Sequence, residues 1–327
     1  MFVDNIRDVV RTDYRPVSFC REYCDIRSNS SQIVQFMATV LGLKRSYDDW
    51  FPLSRIDDIK ALCRKYSLKY KFDWIFVPKP DVSKVISGGG RLPTTKMMGL
   101  PFREKLRSVP DGQVHVFFSR SKIDLELAFR NGWYPLIIKN RAVHKPYIDL
   151  LRFGYFLSYP PCCTDFFRRY NNHFLYNYLL EALKNTKTEP KIFCNPLLKN
   201  NTFSYIYHMP CAYDCAQTIE YVLKLREKLF KYEPGLVKSI DTMLAKPFLV
   251  FGEQSFYIFE GALKDNAIIY SDFAPLGIDK LRENSIDLAL KDGNRLELGR
   301  DSVCVYKNQK KVWDNKKARD TFLIQFR

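Results

Sequence analysis

Two segments of this 327-residue chain constrain it most, SYPPCCTDFF at 158–167 and HMPCAYDC at 208–215. Each sets proline directly before cysteine at what reads as the start of a helix. Proline suits the first helical turn, where its missing N–H removes no bond and its φ is preset. A helix start also presents N–H groups and the positive end of the macrodipole, which stabilise a thiolate. The pattern predicts a helix from Pro160 to about Lys184 and a second from Pro210 to about Lys231. On the second, Cys211 and Cys215 stand one turn apart on one face, with His208 on the entering loop. Two such starts facing one another bring Cys162 or Cys163 to His208, Cys211 and Cys215. Three cysteines with a histidine, or four cysteines, bind zinc tetrahedrally or hold an iron–sulfur cluster. Adjacent cysteines rarely share one ion, so the expectation is that one of Cys162 and Cys163 is a ligand and the other a reactive thiol.

The chain has nine cysteines, an odd number. Its opening stretch, MFVDNIRDVVRTDY, carries acids and lacks the apolar core of a secretory signal. The expectation is a cytoplasmic protein with reduced thiols and no disulfide framework. Cys63 and Cys304 read as small buried hydrophobes. Cys194, in FCNP, is a candidate extra ligand with a core role as the alternative. Cys20 and Cys24, in CREYC, form another i, i+4 pair but have no helix-start proline or histidine beside them. No apolar run approaches the roughly 18–20 residues of a membrane span, so no membrane partner is expected.

Lys and Arg number 52 against 36 Asp and Glu, a formal charge of +16. Such an excess attracts anions, either nucleic acid or an anionic small molecule, although it also serves solubility. Residues 83–112 read as a long basic loop, with Gly88, Gly89 and Gly90 ahead of Arg91 and Lys96. The Gly-Lys-Ser/Thr ending of a phosphate loop is missing, so the reading is a loop that closes over an anion through Arg91 and Lys96. Arg168 follows the double cysteine by about a turn and is a candidate clamp for a phosphate or carboxylate. Asp165 is a candidate catalytic carboxylate, with helix capping the alternative for it, Thr164 and Asp214. No Ser–His–Asp or paired-carboxylate arrangement competes. His115 and His144 read as structural, and His173 lies too far along its helix to join the cysteines.

The fold expectation mixes α+β and α/β. Residues 1–145 form an α/β domain, 146–243 a helical cysteine-bearing region, and 244–327 an antiparallel β domain. Apolar spacing predicts helices over SSQIVQFMATVLGL and SRIDDIKALCRKYSL, the latter opened by a Ser54–Asp57 capping box. YKFDWIFV reads as a strand. Strand 114–118, a helix to about Arg130 and strand 134–138 read as a short parallel βαβ unit. KDN, KDGN and KNQKK turns between β-rich runs predict an antiparallel meander at the C-terminal end.

The two cysteine segments together resemble a prokaryotic family of unknown function, marked by Gly-Tyr-Pro-x-Cys-Cys followed by His-x-Pro-Cys-x-x-x-Cys. The likeness spans about residues 113–228 and departs at Ser158, which takes the place of the usual glycine. It implies that Cys162, Cys163, His208, Cys211 and Cys215 belong together. The leading functional expectation is an iron–sulfur or zinc enzyme acting on an anionic substrate by redox or sulfur-transfer chemistry. The alternative is a zinc-stabilised nucleic-acid-binding or adaptor protein.

Overall fold

The computed structural model describes residues 6, 14–78, 97–102, 111–132, 136–138, 141–143, 149–170, 177–252, 255–276, 280–318 and 320–327. Arg91, Lys96, the glycines at 88–90, His144 and His173 lie outside the described residues. The chain has a mixed α+β fold and divides into two compact units, Arg15–Arg168 and Met1–Tyr14 with Arg169–Arg327. This partition differs from three consecutive domains. Residues 169–243 group with the C-terminal strands, and so does the N-terminal stretch, where Ile6 N donates to Asp272 Oδ2 at 3.0 Å.

Within Arg15–Arg168, β1 (Ser46–Pro52), β2 (Lys69–Pro78), β3 (Met97–Pro101) and β4 (Gln113–Ser119) form a sheet in the order β1-β4-β2-β3. All its pairings are antiparallel. The inner strand β4 is buried at every residue after Gln113, which is why QVHVFFS does not alternate. Phe118 meets Phe36, Phe51 and Tyr47 on one face. Phe117 meets Phe129 and Phe153 on the other. Phe36 belongs to helix Ile33–Val40, whereas Phe129 and Phe153 belong to helices Lys122–Asn131 and Leu150–Phe156, so helices cover both faces.

Among the described residues the expected parallel βαβ unit does not form. Both edges of β4 are taken by β1 and β2, leaving no place for a strand delivered by helix Lys122–Asn131. Strand β5 (Leu136–Ile138) pairs antiparallel with β6 (Arg141–Val143), a partner two residues away in sequence. Such short links serve antiparallel pairs, and parallel pairing needs a far longer crossover. The expected capping box is also missing. A 3-10 turn, Leu53–Arg55, leads into helix Ile56–Lys65, and no side chain caps that helix. Its apolar face of Ile56, Ile59, Leu62 and Cys63 is buried as the spacing predicts.

In the other unit, β7 (Pro247–Gly252), β8 (Ser255–Lys264), β9 (Ala267–Leu276), β10 (Arg295–Leu298), β11 (Ser302–Lys307), β12 (Lys310–Lys316) and β13 (Phe322–Gln325) form one sheet. Its order, β12-β11-β10-β9-β8-β7-β13, is the expected antiparallel meander closed by a last strand that returns to β7. The KNQKK turn places both Asn308 (φ 47°) and Gln309 (φ 74°) in the left-handed region, as a two-residue type I′ hairpin turn requires. Helix Lys280–Asp292 buries Ile286, Ala289 and Leu290 against Tyr257, Phe259, Tyr270, Leu296 and Val305 on one face of the sheet. Helices Tyr178–Asn185, Ala216–Tyr232 and Pro234–Leu244 precede it. In the stretch FSYIY, Phe203, Tyr205 and Ile206 are buried loop residues, and Ser204 Oγ donates to Ile206 O at 2.7 Å. No described helix is long and apolar enough to cross a membrane.

Candidate metal centre

The approach to the double cysteine is built before the helix begins. Helix Leu150–Phe156 ends in a Schellman motif: Tyr159 N donates to Gly154 O at 2.9 Å and Ser158 N to Tyr155 O at 3.0 Å. Ser158 takes the left-handed residue of that motif, φ 58°. This is the position where the resemblance expects glycine, the residue that enters that region without a Cβ penalty. The serine side chain compensates by accepting Arg45 N at 2.8 Å. Ser46 Oγ donates to Phe156 O at 2.7 Å, and Lys44 Nζ donates to Leu157 O. Lys44 also lies 4.4 Å from the centroid of the Tyr159 ring. Burial lowers the Lys44 ammonium pKa to about 7, against a smaller opposing pull from Asp48.

Helix Pro161–Tyr170 then starts as the sequence predicts. Thr164 N donates to Pro160 O at 2.9 Å, which puts Pro161 first in the helix and Cys162 and Cys163 second and third. Its described part runs to Tyr170, and Asn177 caps a separate helix, Tyr178–Asn185, so no single helix reaches Lys184. Gly154 permits its approach, because a Cβ there would stand 2.5 Å from Thr164 Cγ2 and 2.6 Å from Thr164 Oγ1.

The second motif departs from the expected geometry. The helix begins at Ala216 with Cys215 as its N-cap, so Cys211 lies in the preceding turn and the two cysteines share no helical face. Partners on the segment 179–191 hold that turn out of the helix. Asn185 Nδ2 donates to Cys211 O at 2.9 Å, Tyr213 N to Thr186 Oγ1 at 2.9 Å, and Lys191 N to Tyr213 O at 2.8 Å. The fully buried Tyr213 donates its hydroxyl to Leu179 O at 2.9 Å and sets its ring edge-on to Phe326. Asp214 is no helix cap. Its Oδ2 accepts Lys187 N, Thr188 N and Thr188 Oγ1 at 2.9–3.0 Å. Partial burial pushes this carboxyl up, and the hydrogen bonds outweigh it to hold the carboxyl below the usual range.

The ligand atoms of Cys162, Cys163, Cys211 and Cys215 all lie within 4.8 Å of one another, a set that could hold a metal ion. Cys163 and Cys215 are buried, while Cys162 and Cys211 are half-buried. The sulfurs of Cys162 and Cys163 are 3.9 Å apart, and none of the nine cysteines is in a disulfide. A tetrahedral ion with bonds of about 2.3 Å sets its ligand sulfurs roughly 3.8 Å apart. The vicinal pair already has that spacing, so the donor set fits one ion.

The other candidate residues fall elsewhere. His208 is not in this group, and its Nε2 lies 3.1 Å from Thr218 Oγ1 in buried surroundings. Asp165 pairs with Arg168 along one helix at 2.8 Å, both side chains partly solvated. Thr164 Oγ1 donates back to Pro160 O at 3.2 Å instead of capping. Cys194 is fully buried beside the second motif, its Sγ 3.8 Å from Cys215 O, and burial pushes its thiol pKa up. Cys20, Cys24 and Cys63 are core residues, with Cys63 pushed up to about 12 by burial. Sequence reading missed Tyr213, Lys44 and Gly154. Only Gly154 left a trace, as a glycine inside an apolar helical stretch. No family model, curated protein or solved structure matches the chain.

Proposed function

We propose that Cys162, Cys163, Cys211 and Cys215 bind one zinc ion, and that the chain is a zinc-stabilised nucleic-acid-binding protein of the cytoplasm. The observation carrying the metal reading is the 3.9 Å sulfur spacing of the vicinal pair, within a group whose ligand atoms lie inside 4.8 Å. In a four-iron cluster each thiolate holds a separate iron and points outward, so ligand sulfurs stand farther apart than around one ion. This favours a single ion over the iron–sulfur cluster. Four thiolates fill a tetrahedral shell and leave no open position for substrate, the form of a structural site. The nucleic-acid half rests on the +16 charge. Likeness to the Gly-Tyr-Pro-x-Cys-Cys family is carried forward within this proposal, because it groups the same four cysteines.

A second reading is supported by the partial exposure of Cys162 and Cys211. Those sulfurs are the accessible ones, as redox or sulfur-transfer chemistry on an anionic small molecule requires. Anaerobic purification with metal and sulfide analysis tests both. One zinc per colourless chain is expected, lost in Cys211→Ser and Cys215→Ser and kept in Cys63→Ser. Iron with acid-labile sulfide and absorption near about 400 nm would replace zinc with the cluster. Metal retained by both ligand variants would sink the four-cysteine assignment.

A further inference from the structure

One face of the seven-stranded sheet is covered by helix Lys280–Asp292. The register of the opposite face aligns a row of side chains across five strands. Ala262 of β8 pairs with Ile269 of β9, Ile269 with Arg295 of β10, Arg295 with Tyr306 of β11, and Tyr306 with Lys311 of β12. Side chains alternate faces along a strand, and the neighbours Ile268, Leu296 and Val305 are the ones buried under the helix. The row therefore points away from that core. Ile269 is 57% exposed, Ala262 and Lys311 are exposed, and Arg295 and Tyr306 are half-buried. The Arg295 guanidinium lies 5.3 Å from the centroid of the Tyr306 ring. Beyond Tyr306 the sheet runs out into a basic hairpin. Residues 302–317 carry five lysines, at 307, 310, 311, 316 and 317, against the single acid Asp314.

We propose that this face binds single-stranded nucleic acid, with a base stacked on Tyr306 and phosphates held by Arg295 and the hairpin lysines. The inference rests on the nucleic-acid half of the function proposed above and is independent of the metal. Lysines on an edge strand also protect it from pairing with another chain, but that role needs no aromatic ring. Here a half-exposed tyrosine is flanked in register by a cation on each neighbouring strand. Every base has a π-face, so stacking combined with a basic track gives binding that tolerates sequence, the usual mode for single strands. Acids neighbour this row: Glu297 pairs with Arg295 at 2.7 Å and Asp314 with Lys311. A phosphate therefore competes with these partly solvated ion pairs, whose contribution is small.

Fluorescence anisotropy with a labelled 12-nucleotide single-stranded RNA, and DNA of the same sequence, tests the assignment. Tyr306→Ala should weaken binding about tenfold and Tyr306→Phe should not, because phenylalanine keeps the stacking surface. Lys310→Glu/Lys311→Glu should weaken binding and lower the log–log salt slope by about 0.7 per lost phosphate contact. Lys224→Glu/Lys228→Glu on helix Ala216–Tyr232 serves as a control for charge alone. Unfolding temperature and zinc content, unchanged in each variant, exclude misfolding. Wild-type-like affinity in both sheet variants would overturn this surface while leaving nucleic-acid binding intact. Equal losses in the control would reduce the effect to net charge and overturn the site. No binding of either strand by the wild type would overturn this inference and the nucleic-acid reading together.

Discussion

Gly154→Ala tests how the cysteine helix is placed. The added methyl would sit 2.5 Å from Thr164 Cγ2, 2.6 Å from Thr164 Oγ1 and 3.1 Å from Thr164 Cβ. Thr164 is buried and follows Cys163 directly. A β-branched side chain has few rotamers in a helix, so relief requires the helices to move apart. Overpacking of this kind costs about 1–3 kcal/mol. Alanine recovers up to about 1 kcal/mol as the better helix former, so a mid-range overpacking cost of about 2 kcal/mol leaves a net loss of about 1–2 kcal/mol. For a unit of the size of Arg15–Arg168, that lowers Tm by about 2–8 °C. Retention of the proposed zinc against a chelator should fall as well, because the moving helix carries Cys162 and Cys163. Thr164→Ala removes both offending γ atoms, so the double variant should recover at least about 1 kcal/mol relative to additivity. Thermal unfolding and chelator-challenge kinetics on the four proteins give the cycle. A Gly154→Ala protein as stable as wild type, or strictly additive changes, would show that the close approach does not set the helix.

Ser158 occupies the left-handed region and accepts Arg45 N, so Ser158→Ala should destabilise by about 1 kcal/mol. Ser158→Gly should be near neutral, because relief of the backbone offsets the lost bond; Tm of the three proteins checks the order. Burial lowers the His115 pKa, but its hydrogen bonds to the Asp48 and Asp73 carboxylates outweigh it and raise the folded-state value. A raised histidine pKa stabilises fully below the unfolded value of about 6.5, and the contribution is lost as pH rises through the folded value. Replacing His115 with Gln should therefore abolish a fall in Tm as pH rises above about 6.5. Lys44 has the opposite sign: with its pKa lowered to about 7, wild-type stability rises from there toward the unfolded value of about 10.4. Tm of Lys44→Met relative to wild type should accordingly be most favourable near pH 6 and decline by pH 9.

Elements whose partners are local were legible in the sequence. Helix Ile56–Lys65 buries the face its apolar spacing marks, and the KDN and KNQKK turns of the C-terminal meander join strands as expected, whereas KDGN ends helix Lys280–Asp292 instead of a strand. Strand β1, SYDDWFP, was not legible, because two adjacent acids argue against a strand. Their partners lie far along the chain. Asp48 faces His115 at 3.1 Å, and Asp49 takes the Arg27 guanidinium at 3.0 Å on the other side of the strand. A local window holds neither His115 nor Arg27. Helix Lys280–Asp292 escaped for a related reason, since the sheet it covers supplies the partner for its apolar residues. The parallel βαβ reading failed because periodicity identifies a strand without saying which edges are already occupied.

At the cysteines, residue type and proximity were legible and backbone state was not. CxxxC matches one helical turn, yet Cys211 and Cys215 are joined by a non-helical turn tied down through Tyr213 and Asp214. The donors to Asp214 are the backbone N–H groups of 187 and 188 and the Thr188 hydroxyl, which no spacing rule reaches. The vicinal pair was read as one ligand and one reactive thiol, because adjacent side chains usually diverge. At the second and third positions of helix Pro161–Tyr170 they stand 3.9 Å apart, close to the edge of a metal tetrahedron. Four thiolates around the proposed zinc ion would leave a net charge of −2, which would need compensation in a half-buried site. Helix starts at Pro161 and at Ala216 each supply the positive end of a macrodipole. The same feature favours thiolate over thiol, so protons compete less with the metal for sulfur. At the first motif proline before cysteine marks the helix start, whereas at the second Pro210 and Cys211 precede a helix that begins only at Ala216.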